Sequence, residues 1–156
     1  AYGRPYQLPW WYTQGLSSVR QREVSDRMDL YGNIKGHVTF EGWWLWRARV
    51  HAHVRWNLYR SFPECMVMTW ESKEIDIVDY MMMWPWGGFL MDQEPAERRK
   101  FLDELKKPLG WHGDTPYEER VWENSIKAME SCFKTTPEQF EVAWKTWVMQ
   151  KGPGKK

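Results

Sequence analysis

The sequence predicts a mainly α fold, an irregular helical domain of about four to five helices with an extended N-terminal arm and a short C-terminal tail, and three observations carry that expectation. Apolar residues recur three and four positions apart over long stretches, the signature of amphipathic helices. "TPYE" at 115–118 and "TPEQ" at 136–139 each offer a Thr N-cap, a Pro at the first helical position and a Glu or Gln at the third. Pro63, Pro95 and Pro108 stand where such patterns break or begin. At 156 residues one domain is expected, divided as an aromatic arm at 1–13, a single helical domain at 14–150 and a basic tail at 151–156.

In chain order, "AYGRPYQLPWWY" holds two prolines and five aromatics without helical or alternating spacing, which predicts the extended arm. Leu16, Val19, Val24 and Met28 approach helical spacing among many charges, so 14–31 reads as a solvent-facing helix. "GNIKG" at 32–36 reads as a turn. Thr39 is a candidate cap for a helix whose stripe is Trp43, Trp46, Val50, Val54 and Leu58, with Arg47, His51, Arg55 and Tyr59 four apart beside it and Pro63 as its stop. Met66, Trp70, Ile77, Met81 and Trp84 continue at helical spacing, with Glu71, Glu74, Asp76 and Asp79 as an acidic face. "IDIVDY" also fits a strand, but length favours helix. "WPWGG" at 84–88 reads as a break. Pro95 opens "AERRKFLDELKK", and Pro108 stops it. The last two helices are expected to turn Val121, Trp122, Ile126, Met129 and Phe133, then Phe140, Ala143, Trp144, Trp147 and Val148, inward, with Gly152 closing the second.

Composition narrows function. Thirteen tryptophans among 17% aromatic residues carry more ring surface than a 19 kDa monomer is expected to conceal, so part of it should face neighbours. Nine methionines, which adapt to irregular apolar surfaces, point the same way. The net charge of +1 disfavours a nucleic-acid partner. It conceals an uneven distribution: residues 1–62 hold nine Lys/Arg against four Asp/Glu, and 63–94 hold one against seven. Cys65 and Cys132 form no CxxC or Cys/His pattern and read as reduced, buried thiols. The most apolar run, 80–91, is too short for a transmembrane span. The chain starts at Ala1, which either a removed targeting peptide or the design of the expressed chain leaves.

No constellation predicts catalysis. His51 and His53, two apart, diverge on a helix and cannot share a metal, while His37 and His112 lack ligand-rich surroundings, so neither metal nor cofactor is expected. Glu71/Glu74 and Glu118/Glu119 read as surface charges, and no GxSxG, Walker loop, GxGxxG or HExxH occurs. The notable stretch is "GWWLWRARVHAHVRWNLYR" at 42–60, with four tryptophans and four arginines. Partner or lipid-headgroup contacts are expected at Trp10, Trp11, Trp43, Trp44, Arg47, Arg55, Arg60, Trp84 and Trp86. The competing reading has the arginines pair with the acidic 63–94 block of the same chain.

Leu58-Tyr59-Arg60 resembles the tripeptide of the LYR-motif proteins, small helical mitochondrial factors and respiratory-complex subunits that dock acyl carrier protein. The resemblance covers three residues of 156 and implies acyl-carrier binding at Leu58, Tyr59 and Arg60. In that family the tripeptide opens a long first helix, whereas here it falls at the end of one.

These features together predict a non-catalytic accessory subunit packed among other protein subunits, with anionic lipid headgroups as a further contact. The character is that of supernumerary subunits of a mitochondrial respiratory-chain complex or the ATP synthase, peripheral to the inner membrane. The alternatives are an organellar ribosome-associated protein, an LYR-type acyl-carrier-protein-binding adaptor and a small enzyme.

Overall fold

The computed structural model describes residues 8–24, 27–30, 38–41, 43–68, 75–109 and 116–151, giving the backbone path alone for both strands, for 43–46, for 117–118 and for 151. The described residues are mainly α-helical. The helices are α1 (Trp10–Val24), α2 (Trp43–Arg55), α3 (Phe62–Met66), α4 (Ile77–Met91), α5 (Pro95–Leu105), α6 (Tyr117–Phe133) and α7 (Pro137–Lys151). An antiparallel pair, β1 (Arg27–Leu30) and β2 (Val38–Glu41), joins α1 to α2 in the register Arg27↔Glu41 to Leu30↔Val38.

The most apolar run of the sequence forms the centre. Eleven of the fifteen α4 residues, Asp79–Gly87 with Phe89 and Leu90, are buried, as a helix apolar around its whole circumference requires. Asp76 starts it: one carboxylate oxygen accepts from the Val78 and Asp79 amides at 2.7 and 3.0 Å, while Asp79 accepts from the Asp76 amide at 3.0 Å. Contrary to expectation, "WPWGG" does not break the chain. Pro85 removes one backbone donor, but Trp84 and Trp86 on either side are fully enclosed, and that burial outweighs the lost hydrogen bond.

Against α4 lies α1, and their backbones meet where Gly15 faces Gly87. The rest of the core is an aromatic chain across helices. Trp11 of α1 meets Phe62 of α3 edge-on at 5.0 Å, and Phe62 lies 4.5 Å from Trp86 of α4. Trp86 in turn stacks on Trp144 of α7, with ring centroids 3.7 Å apart and planes 18° apart. The indole N–H groups of Trp11, Trp86 and Trp144 are buried without a hydrogen-bond partner, so ring packing alone holds them. On the far side α5 pairs with α6, burying Phe101 and Leu105 beside Ala128, Met129 and Cys132.

Several boundaries differ from the sequence reading, each for a physical reason. Among the described residues there are seven helices rather than four to five. Residues 10–13, assigned to the extended arm, form the first turn of α1, because Trp10, Trp11 and Tyr12 gain burial there; residues 1–7 lie outside the described residues. The helix expected at 14–31 ends at Val24, and 27–30 pairs instead with 38–41, where β-branched Val38 and Thr39 favour a strand. Thr39, expected to cap the helix, is therefore a residue of β2, while the 32–36 turn lies outside the described residues. The single pattern at 64–84 divides into α3 and α4; Trp70, Glu71 and Glu74 between them are outside the described residues. Ala143, expected inside, is exposed, whereas Phe140, Trp144 and Val148 are buried as expected. Thr136 caps α7 as the sequence predicts, accepting from the Gln139 amide at 3.3 Å while Gln139 Oε1 accepts from the Thr136 amide at 3.0 Å. The matching Thr115 lies outside the described residues, as does Gly152.

Candidate functional site

The structure separates the predicted contact residues into three groups. Trp10, Trp11, Trp84 and Trp86 are at most 3% exposed, so this chain itself covers the surface they were expected to offer a neighbour. Arg60 is also spent internally: its Nε donates to Asp79 Oδ1 at 3.0 Å and its Nη2 to Oδ2 at 3.4 Å, as the competing intrachain reading anticipated. For Trp43 and Trp44 the backbone alone is described. Arg55 remains exposed at the end of α2, and Arg47 is half-buried one face away.

The expectation that one small globule cannot conceal thirteen indoles bears here on the eight whose side chains are described, those of Trp43, Trp44, Trp46, Trp70 and Trp111 lying outside them. Of the eight tryptophans whose side chains are described, Trp10, Trp11, Trp84, Trp86 and Trp144 are buried and Trp122 and Trp147 are half-buried. Seven helices packed through aromatic stacks hide more ring surface than a bundle of four would. Trp56 is the one left out, 68% exposed.

Trp56 stands on a helix terminus with a specific geometry. Asn57 adopts φ 57°, its amide donates to the Val54 carbonyl at 3.3 Å, and the Leu58 amide donates to the His53 carbonyl at 2.8 Å. This is a Schellman stop with Asn in the left-handed position, so α2 ends at Arg55 rather than running to 60. The apolar residue after such a stop ordinarily folds back onto its helix, yet Leu58 is 61% exposed. Trp56 and Leu58 thus form a knuckle, with the Arg55 guanidinium 5.8 Å from the Trp56 ring centre. No Asp or Glu occurs between positions 42 and 63, so the sequence around the knuckle is uniformly basic.

Two carboxylates hold the knuckle in place. Asp79 of α4 grips Arg60, and Glu141 of α7 accepts from Tyr59 Oη at 2.8 Å and from the Phe62 amide at 2.9 Å. Lys145, one turn further along α7, donates to Asn57 Oδ1 at 3.1 Å, and the Tyr59 ring packs edge-on to Trp144 at 5.3 Å. Tyr59 and Arg60 of the Leu-Tyr-Arg tripeptide are therefore occupied within the chain, and Leu58 is its outward member. The same contacts place the knuckle beside the stretch of α7 that carries two further exposed apolar residues, Val142 and Met149.

The clamp makes stability sensitive to alkaline pH. Burial, reinforced by the bond to the Glu141 carboxylate, pushes the Tyr59 phenol above its ordinary range, and burial with the nearby Asp79 charge pushes the Cys65 thiol up. Both stay neutral in the folded chain while the unfolded chain ionises them near pH 8.5 to 10. Their contribution is complete below that range, begins to fall within it, and goes on falling as pH rises toward the raised folded-state values. The urea midpoint is expected to fall above about pH 9, and to fall less steeply in the Tyr59→Phe/Cys65→Ala double variant. Parallel profiles for the two proteins would exclude this origin.

Elsewhere, chemistry is sparse. A cleft of about 260 Å³ between the end of α5 and α6 is lined by Lys107, Pro108, Leu109, Arg120, Glu123, Asn124 and Lys127, without a histidine, cysteine, serine or threonine. Among the described residues no three His, Cys, Asp or Glu side chains gather as metal ligands, and no helix is long and apolar enough to cross a membrane. Cys65 and Cys132 are free and buried. No protein-family model, curated protein or solved structure matches the chain. The geometry alone therefore points to the site.

Sequence reasoning singled out 42–60 but missed Leu58, Val142 and Met149 as outward residues. Asn57 was the signal for Leu58, since Asn is the commonest alternative to Gly at the left-handed helix stop. For Val142 and Met149 there was none, because which flank of α7 is left uncovered depends on where α2 and α3 pack.

Proposed function

We propose that the chain is a non-catalytic accessory subunit of a large multi-subunit assembly, seated there through the Trp56–Leu58 knuckle and the adjoining face of α7. The carrying observation is that a tryptophan and a leucine are held out to solvent on a turn fixed by Asp79, Glu141 and Lys145, in a chain that encloses most of its other described indoles. A rigid, exposed Trp beside Arg is the residue pairing that concentrates binding energy at protein interfaces, because little entropy is lost when it docks. The helical, aromatic-rich, near-neutral character is that of supernumerary subunits of a mitochondrial respiratory-chain complex or the ATP synthase, peripheral to the inner membrane.

Truncating two such anchors removes about 2 kcal/mol or more each, so the Trp56→Ala/Leu58→Ala variant is expected to leave its high-mass assembly at least tenfold more readily than the parent on native electrophoresis. Its thermal midpoint should match the parent's, since neither side chain is packed inside. A variant that co-migrates with the assembly like the parent would end this reading.

A further inference from the structure

We draw no further inference here: the strongest candidate, the cation-lined cleft between the end of α5 and α6, carries nothing because its lysines already face carboxylates of this chain, Lys107 with Glu104 at 2.5 Å and Lys127 with Glu123 at 4.0 Å, and its Arg120 is likewise engaged within the chain.

Discussion

Gly87→Ala is expected to destabilise the protein by about 2–3 kcal/mol, although alanine is ordinarily the better helix former by about 1 kcal/mol. A Cβ at position 87 would stand 2.4 Å from both the carbonyl carbon and the oxygen of Gly15, and one at 15 would stand 2.9 Å from the Met83 carbonyl oxygen. These obstacles are backbone atoms, which no rotamer change can move aside, so α1 and α4 would have to separate along their whole contact. Trp10, Trp11 and Tyr12 on α1 would then lose their seating on the core. Gly88→Ala is the control: its Cβ would meet only the tip of the Trp147 ring, at 3.2 Å, and a side chain can yield. Urea denaturation of both variants decides the matter. Equal stability of Gly87→Ala and the parent would mean that the two helices do not cross at backbone contact.

Arg60→Met should cost about 3–5 kcal/mol, the range for breaking a buried ion pair by removing one partner. The reason lies in an asymmetry of exposure: the Asp79 side chain is 3% exposed and the Arg60 side chain 30%. Removing the arginine leaves a carboxylate enclosed in the core with the Asp76 amide at 3.0 Å. Asp79→Asn, by contrast, leaves a guanidinium that can turn to water, at a smaller cost of about 1–2 kcal/mol. An Arg60→Met/Asp79→Leu pair, which removes both charges, should regain part of the single-variant loss. If Arg60→Met costs less than about 1 kcal/mol, as an exposed pair would, then Asp79 does not anchor the loop in the way the distances indicate.

The two variants also separate what local sequence carries from what packing adds. The starts of α5 and α7 were legible because their information is local: Pro95 at a first helical position, and Thr136 with Gln139 three residues on, need nothing beyond their own turn. The helical class was legible for the same reason, since spacing of three and four is a property of a single segment. The 27–30/38–41 strand pair was not, because two short segments of mixed spacing become strands only by pairing with each other. "WPWGG" misled because Pro and Gly punctuate a free chain, whereas here Gly87 serves a helix crossing whose other half is Gly15, 72 positions away.

For the candidate site the division is similar. The sequence by itself determined that the chain is helical, that its thiols are unpaired in pattern, and that 42–60 concentrates arginine and tryptophan without a carboxylate. It could not say which of those rings turn inward, because burial is a competition among all apolar groups for a shared interior, and single-residue composition does not rank the contestants. Only the tertiary structure gave Trp10, Trp11, Trp84 and Trp86 to the core, tied Arg60 to Asp79 and Tyr59 to Glu141, and left Trp56 and Leu58 outside. Asn57 stops α2, and the two carboxylates brought from α4 and α7 hold Tyr59, Arg60 and the Phe62 amide beyond it, so the outward position of Trp56 and Leu58 is fixed by groups distant in sequence.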